Sequence, residues 1–293
     1  MDDDRWTGRE LKPNELAGVG ALLERGKIAD TFFVKSALER GEAFKGWWYG
    51  GLRNGTELEA VMAVENHKAH VYAHSEAAAR GMGHELYQQQ KRMGSAMQAT
   101  HRHQVVGELK TVSNIWHYLK DLPDRKAIGD RTCGILEVSA ESRPDKSPSS
   151  RVELSVATEA DLRLVFDMTA EAITEQIQLD PRKAGRDAHW ARCETIIARG
   201  LQVIAREEGR PFFVAELAKQ TKDIILLDRV HVPTQFRSRP RLLAGAFWHA
   251  AGLAARIGGR RLFALTTDGA LTEAAQQAGW RLASTWRWAI ALG

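Results

Sequence analysis

The chain has 293 residues, 44% of them hydrophobic and 27% charged, with a formal net charge of +4. That composition belongs to a soluble globular protein long enough for two domains, and no apolar run reaches the roughly 18 residues of a transmembrane helix. The polar, acidic start MDDDRWTGRE is not a secretory leader, and Cys133 and Cys193 lie far apart outside any CxxC pattern, so the expected setting is the cytoplasm without disulfides or structural zinc.

In chain order, helical periodicity covers residues 14–26 and 31–41, and strand-like segments follow at 44–52, 58–66 and 69–73. A helix over 83–94, a strand over 103–109, a helix over 112–122 and a strand over 132–139 complete the first half. Within it, AAARGMGHEL (77–86) reads as a turn opening a helix. Arg80, Gly81 and Gly83 there form an alternative phosphate loop, set against the plainer reading of a glycine-containing turn. His67, His70 and His74 run across a strand and its exit, and with His101 and His103 they would not converge, so no metal is expected. Trp47, Trp48, Tyr49, Trp286 and Trp288 sit in strand-like segments as packing residues.

ESRPDKSPSSR (141–151) is rich in Ser, Pro and charge and reads as a linker. It divides a domain of residues 1–140 from one of residues 152–293. The second domain starts with a short strand at 152–158 and a helix over 158–177 capped by Thr158 and Asp161. A helix over 188–200 ends at Gly200. Strands at 201–207, 212–220 and 223–232 follow, then a helix over 241–258, a strand at 261–267, a helix over 269–279 and a closing strand at 281–292. Arginines cluster at 237, 239 and 241 and again at 256, 260 and 261, which suits an acidic ligand. No nucleic-acid motif accompanies them.

The stretch VHVPTQFRSRPRL (230–242) joins a strand to a helix through a basic loop, where the positive end of a helix can hold a phosphate. With DGALTEAAQQAGW (268–280), it resembles the GNAT superfamily of acyl-CoA-dependent N-acyltransferases. Members commonly carry runs like V-Y-T-P-P-E-Y-R-G-K-G-Y-A and N-x-x-A-x-x-x-Y-x-x-x-G-F in these places. The order of elements, Pro233, Arg237 and Gly279-Trp280 fit. Ser238, Pro240 and Leu242 replace the glycines, and Ala275 stands where the family's usual tyrosine acid would be. The weaker recurrence of the order in the first half resembles tandem members.

The resemblance implies an α/β fold (α+β, mixed sheet) of two GNAT-like domains, each a mixed sheet flanked by helices. It implies acetyl-CoA or another acyl-CoA as co-substrate, contacted by Val230, Val232, Arg237, Ser238, Arg239, Arg241, Leu242 and Asp268, with no metal. For proton transfer, Asp228 and His231 stand on the preceding strand, on opposite faces by strict alternation. His231 titrates near neutrality. Glu171 and Glu175 lie one helical turn apart, and Glu175 is placed to attract a cationic amine.

The expected activity is N-acyl transfer to an amine of a small molecule or protein. The alternative is a catalytically degenerate GNAT-fold binding or regulatory protein, and an aminoacyl-tRNA-using relative is a minor third reading. A homodimer is an open option; membrane and nucleic-acid partners are not expected.

Overall fold

The structure is a computed structural model that describes residues 5–66, 68–93, 102–120, 126–139, 142–177 and 180–292. His67 and His101 therefore lie outside the described residues. The chain divides into two compact units, one of residues 1–133 with 284–293 and the other of residues 134–283. Among the described residues, no helix is long and apolar enough to cross a membrane, and no group of three or more His, Cys, Asp or Glu is arranged to hold a metal ion.

Unit 1 contains β1 (Trp6–Glu10), α1 (Leu16–Glu24), α2 (Ile28–Glu39), β2 (Trp47–Arg53), β3 (Glu57–Glu65), β4 (Lys68–Ala73), α3 (Glu76–Met93), β5 (Arg102–Glu108), α4 (Leu109–Leu119) and the start of β6 (Lys126–Ser139). β1 to β4 are joined antiparallel, whereas β4 and β5 run parallel. One face of the sheet packs Met62, Val71, Met82, Val112 and Ile115, and the other packs Val19, Leu22, Val34, Val61 and Tyr72. Alternation along β3 and β4 produces this two-sided burial, because successive side chains point to opposite faces.

Unit 2 contains the end of β6, then β7 (Val152–Val156), α5 (Leu162–Ile177), α6 (Arg186–Ala198), β8 (Gln202–Glu207), β9 (Arg210–Lys219), β10 (Ile224–His231), α7 (Thr234–Arg237), α8 (Pro240–Arg256), β11 (Arg261–Thr266) and α9 (Gly269–Gln277). β7, β8, β9 and β10 pair antiparallel, β10 and β11 parallel, and β11 antiparallel with β6. Phe213, Ala215, Leu227, Phe247, Ala250 and Trp280 form the core against α8 and α9; Val165, Phe166, Cys193, Ile204 and Val214 form the opposite face under α5 and α6. The expected cap forms: the Thr158 N–H donates to Asp161 at 2.9 Å.

β12 (Arg281–Leu292) begins in unit 2 and runs into unit 1, where Trp286–Leu292 pair antiparallel with Glu108–Arg102 of β5. Trp286 is 1% exposed, stacks 5.2 Å from Phe32, and donates from Nε1 to the Ala29 carbonyl at 3.0 Å. The closing strand thus lies between β5 and β6 in the strand order. Strand periodicity identifies such an element but says nothing of which edge it joins.

The alternative phosphate loop is not a loop. α3 begins at Glu76, so Arg80, Gly81 and Gly83 lie inside the helix, and the β4–α3 connection is only His74 and Ser75. The Ser75 hydroxyl accepts from the Ala78 N–H at 3.1 Å, and Arg80 faces Glu76 at 3.7 Å. A Cβ on Gly81 would run into the Trp6 ring, 2.7 Å from Cε3, and one on Gly83 would come 2.9 Å from the Ile115 Cα. Both glycines let α3 lie close to its neighbours; they do not shape a phosphate cradle.

Candidate functional site

The candidate site grows from one irregularity in β10. The register pairs Asp228 with Glu216 and His231 with Val214, so three steps along β10 match two along β9. The extra residue is a β-bulge, in which Arg229 adopts φ +51°, a left-handed conformation that costs a non-glycine residue about 1–2 kcal/mol. The Asp228 carboxylate accepts from the Arg229 N–H at 2.9 Å, and Arg229 Nε faces Glu216 at 3.8 Å. These contacts hold the bulge in place. Strict alternation would set Asp228 and His231 on opposite faces; the bulge inserts a residue between them and puts both on the α5 side.

The bulge also ends the β10–β11 pairing. The parallel ladder runs from Ile224 with Arg261 to Leu227 with Ala264 and stops there. In unit 1 the parallel β4–β5 ladder likewise stops, at His70 with Val106, but a Cβ on Gly107 would approach the Val71 carbonyl oxygen to 2.6 Å, so those strands stay close one step further on.

His231 lies beyond the end of the β10–β11 ladder, 3% exposed. Its Nε2 is 3.4 Å from Glu171 Oε2, and the Glu171 side chain is 48% exposed. Burial pushes the imidazole below its ordinary value, and Arg237 adds to this, while Glu175 and Glu171 oppose it. The result is a neutral imidazole with a carboxylate at its outer edge. Asp228 stays partly exposed and serves the bulge, so it stands apart from this pair.

One turn along α5, Glu175 accepts a hydrogen bond from Arg237 Nη2, while Arg237 Nε donates to the Val232 carbonyl at 2.9 Å. Glu171, Glu175, His231 and Arg237, drawn from α5, β10 and α7, thus form one polar cluster. Val230 and Val232 pack on the α8 side; Val232 is 1% exposed.

The basic loop differs from the expected open turn. Residues 234–237 coil into the single turn of α7, which the sequence hides because Pro233 and Pro240 flank it without helical periodicity. The Arg239 N–H donates to the Phe236 carbonyl at 3.0 Å, and the Leu242 and Leu243 N–H groups donate to the Arg239 carbonyl at 3.0 and 3.2 Å. Pro240 has no N–H, which leaves that of Arg241 at the start of α8. Arg239 is held by both Glu207 carboxylate oxygens, at 2.5 and 2.6 Å, and this pairing holds the Glu207 carboxyl below the usual range. Arg241 and Ser238 are exposed, and Leu242 is buried in the core. A diphosphate here meets one uncommitted backbone N–H and two guanidiniums engaged by carboxylates. The loop suits such a ligand through its side chains rather than its backbone.

Asp268 caps α9, its Oδ1 accepting from the Ala270 and Leu271 N–H groups at 2.8 and 3.3 Å. Its carboxylate is committed to the helix. Ala275, at the position of the family's usual tyrosine, is fully buried. Glu207 is the participant that no sequence pattern marks, since it approaches Arg239 from a strand 32 positions away.

No family model matches the sequence, and no curated protein matches it. Solved structures do. A GCN5-related N-acetyltransferase from Sphaerobacter thermophilus aligns with a TM-score of 0.62 at 15% identity, over 99% of this chain and 96% of that one. A GNAT-family acetyltransferase from Colwellia psychrerythraea aligns with a TM-score of 0.56 at 11% identity, over 98% and 100%. A tandem GNAT protein from the clavulanic acid biosynthesis pathway aligns with a TM-score of 0.51 at 11% identity, over 99% of each chain. The chain has the mixed α/β fold of GNAT acetyltransferases along its length; at these identities the likeness is one of fold.

Proposed function

We propose that the chain is an acyl-CoA-dependent N-acyltransferase working in the cytoplasm, with its site in unit 2 and an amine of a small molecule or protein as acceptor. The observation that carries this reading is the bulge at Asp228–His231, which ends the β10–β11 ladder and sets a buried, neutral His231 against Glu171 beyond its end.

An acyl-CoA supplies a thioester carbon for direct attack by the amine, without a covalent enzyme intermediate. His231 takes the proton that the amine gives up as its nitrogen bonds to that carbon, and Glu171 stabilises the imidazolium. Glu175 draws a cationic amine towards the cleft. Arg237 and Arg239 hold the phosphates by exchanging their carboxylate partners, a bidentate grip replacing the missing glycine backbone. The sulfur gains its proton from water, because Ala275 offers none. No metal enters the scheme.

A second reading, a GNAT-fold binding module without catalysis, is favoured by Pro240 and by the internally bonded N–H groups of the loop. Calorimetry with acetyl-CoA, followed by thiol-release assays on a panel of amines, separates the two. On the enzyme reading acetyl-CoA binds, and His231→Gln lowers kcat by about 10²–10⁴-fold without changing cofactor affinity. The wild-type rate falls only on acidification below the ordinary imidazole range, because His231 must be neutral to act. Failure of acetyl-CoA to bind at millimolar concentration refutes the enzyme and leaves the binding module.

A further inference from the structure

The segment read as a linker is strapped across α8 on the surface of unit 2. Ser142 is tied back to Ser139 through its N–H and hydroxyl. Pro144 rests where Gly279 lacks a side chain, since a Cβ there would come 2.5 Å from its Cδ, and Trp248 Nε1 donates to the Pro144 carbonyl at 2.7 Å. Further along, Ser149 and Val152 lie over Gly245. Between these anchors Arg143 stacks on Trp248, its guanidinium carbon 4.0 Å from the ring centroid. It fills the notch of Gly252, where any Cβ would collide with Nη1. A guanidinium on a long flexible chain is thereby fixed in one place.

Beside it opens a cavity of about 360 Å³, lined by Arg143, Ala251, Gly252, Ala255 and Arg256. Its floor is apolar, both polar walls are guanidiniums, and no lining residue is acidic. His249, packed edge-on against Trp248, is pushed below its ordinary value by burial and then by Arg143 and Arg256. Both arginines therefore act on the same small volume. Several other guanidiniums of unit 2 meet carboxylates: Arg192 with Glu216, Arg206 with Asp161, Arg239 with Glu207, and Arg261 and Arg281 with Glu137. Arg143 and Arg256 form no ion pair among the described residues. Two like charges flanking one cavity without a counter-charge are stabilised by an anion between them.

We infer that this groove binds a small organic phosphomonoester, its phosphate between Arg143 and Arg256 and its organic part on the Ala251–Ala255 floor. A phosphomonoester dianion presents three terminal oxygens and two charges to the guanidiniums, where a carboxylate presents two oxygens and one charge. The cavity is larger than the anion alone, and the indole of Trp248 beside it favours a ligand with an apolar or planar remainder. Gly252 lies twelve residues beyond Pro240, about 18 Å along the helix axis, so the groove is separate from the loop at Arg237–Leu242 and stands whether or not that loop holds a cofactor.

The test is calorimetric titration of the full chain with inorganic phosphate and with phenyl phosphate, alongside imidazole NMR of His249. The expected result is saturable binding of both, tighter for phenyl phosphate. The His249 pKa should rise as the bound anion offsets Arg143 and Arg256. Arg256→Gln and Arg143→Gln should each weaken binding about tenfold or more, and Gly252→Val, which displaces the Arg143 guanidinium, should act like Arg143→Gln. Arg192→Gln, which removes a guanidinium that pairs with Glu216 away from the groove and the loop, should leave binding unchanged. The inference is overturned by no saturable binding at about 10 mM phosphate, a concentration reaching the weakest simple anion sites. It is equally overturned by affinities that none of the three groove variants alters, or by loss of binding in Arg239→Gln alone, which would place the anion at the loop.

Discussion

Replacing Glu175 by Gln removes the charge that engages Arg237 while keeping the side chain's size. The two side chains are 46% and 29% exposed, and ion pairs this open are worth about 0.2–1 kcal/mol. An anion that needs Arg237 must overcome that amount first. Glu175→Gln is therefore expected to tighten acetyl-CoA binding by about 1.4- to 5-fold, one factor of ten being about 1.4 kcal/mol. The hydrogen bond from Arg237 Nε to the Val232 carbonyl does not depend on Glu175 and keeps the guanidinium oriented. Arg237→Gln acts in the opposite direction: it removes a charge-assisted phosphate contact worth about 1.5–3 kcal/mol, a roughly ten- to hundredfold loss. Calorimetry on the wild type and both variants at fixed low salt reads these values directly. If Glu175→Gln binds acetyl-CoA no more tightly than the wild type, and Arg237→Gln binds it equally well, Arg237 is not part of a cofactor grip. The pair is then an ordinary surface ion pair.

Other consequences concern packing and pH. Gly81→Ala drives a methyl group into the Trp6 ring and should cost about 1–3 kcal/mol by overpacking, lowering Tm in a thermal melt while leaving acetyl-CoA affinity unchanged. Trp286→Ala removes a buried ring and its hydrogen bond to Ala29; a loss of about 3–5 kcal/mol is expected, with hydrogen exchange accelerating first in β5 and β12. His70, His189, His231 and His249 all have values lowered mainly by burial. The unfolded chain therefore takes up protons near pH 6.5 that the folded chain refuses. Stability should fall as pH drops below about 6.5, by at most about 1.4 kcal/mol per pH unit per histidine, until the folded histidines titrate. His70→Phe should flatten that decline in urea melts, because it removes a buried imidazole whose Nδ1 has no hydrogen-bond partner among the described residues and which already stacks on Phe33.

Much of unit 2 is legible in the order of its residues. The near-continuous apolar run of β10, the capping pair Thr158 and Asp161, and the i, i+4 spacing of Glu171 and Glu175 are local signals, set by backbone periodicity and short-range hydrogen bonds. Such signals also point to His231 and Arg237. They fail where a local pattern has two tertiary meanings. Gly81 and Gly83 carry the spacing of a phosphate turn, yet they serve the close approach of Trp6 and Ile115 to a helix, which the spacing alone does not distinguish. β1 at Trp6–Glu10 carries no strand pattern of its own, because only its pairing with β2 makes it a strand.

The sequence by itself determined the order of the elements other than β1 and α7, the fold class and the loss of glycine from the basic loop, because each is encoded within a few neighbouring residues. The tertiary structure decided the state of the site. The bulge that brings Asp228 to the face of His231 depends on Arg229 being held left-handed by Asp228 and Glu216. The carboxylates that engage Arg237 and Arg239 come from positions 62 and 32 residues away. The last strand leaves unit 2 to pair with β5. Those outcomes rest on contacts between distant parts of the chain, and no local periodicity records which distant group a side chain will meet.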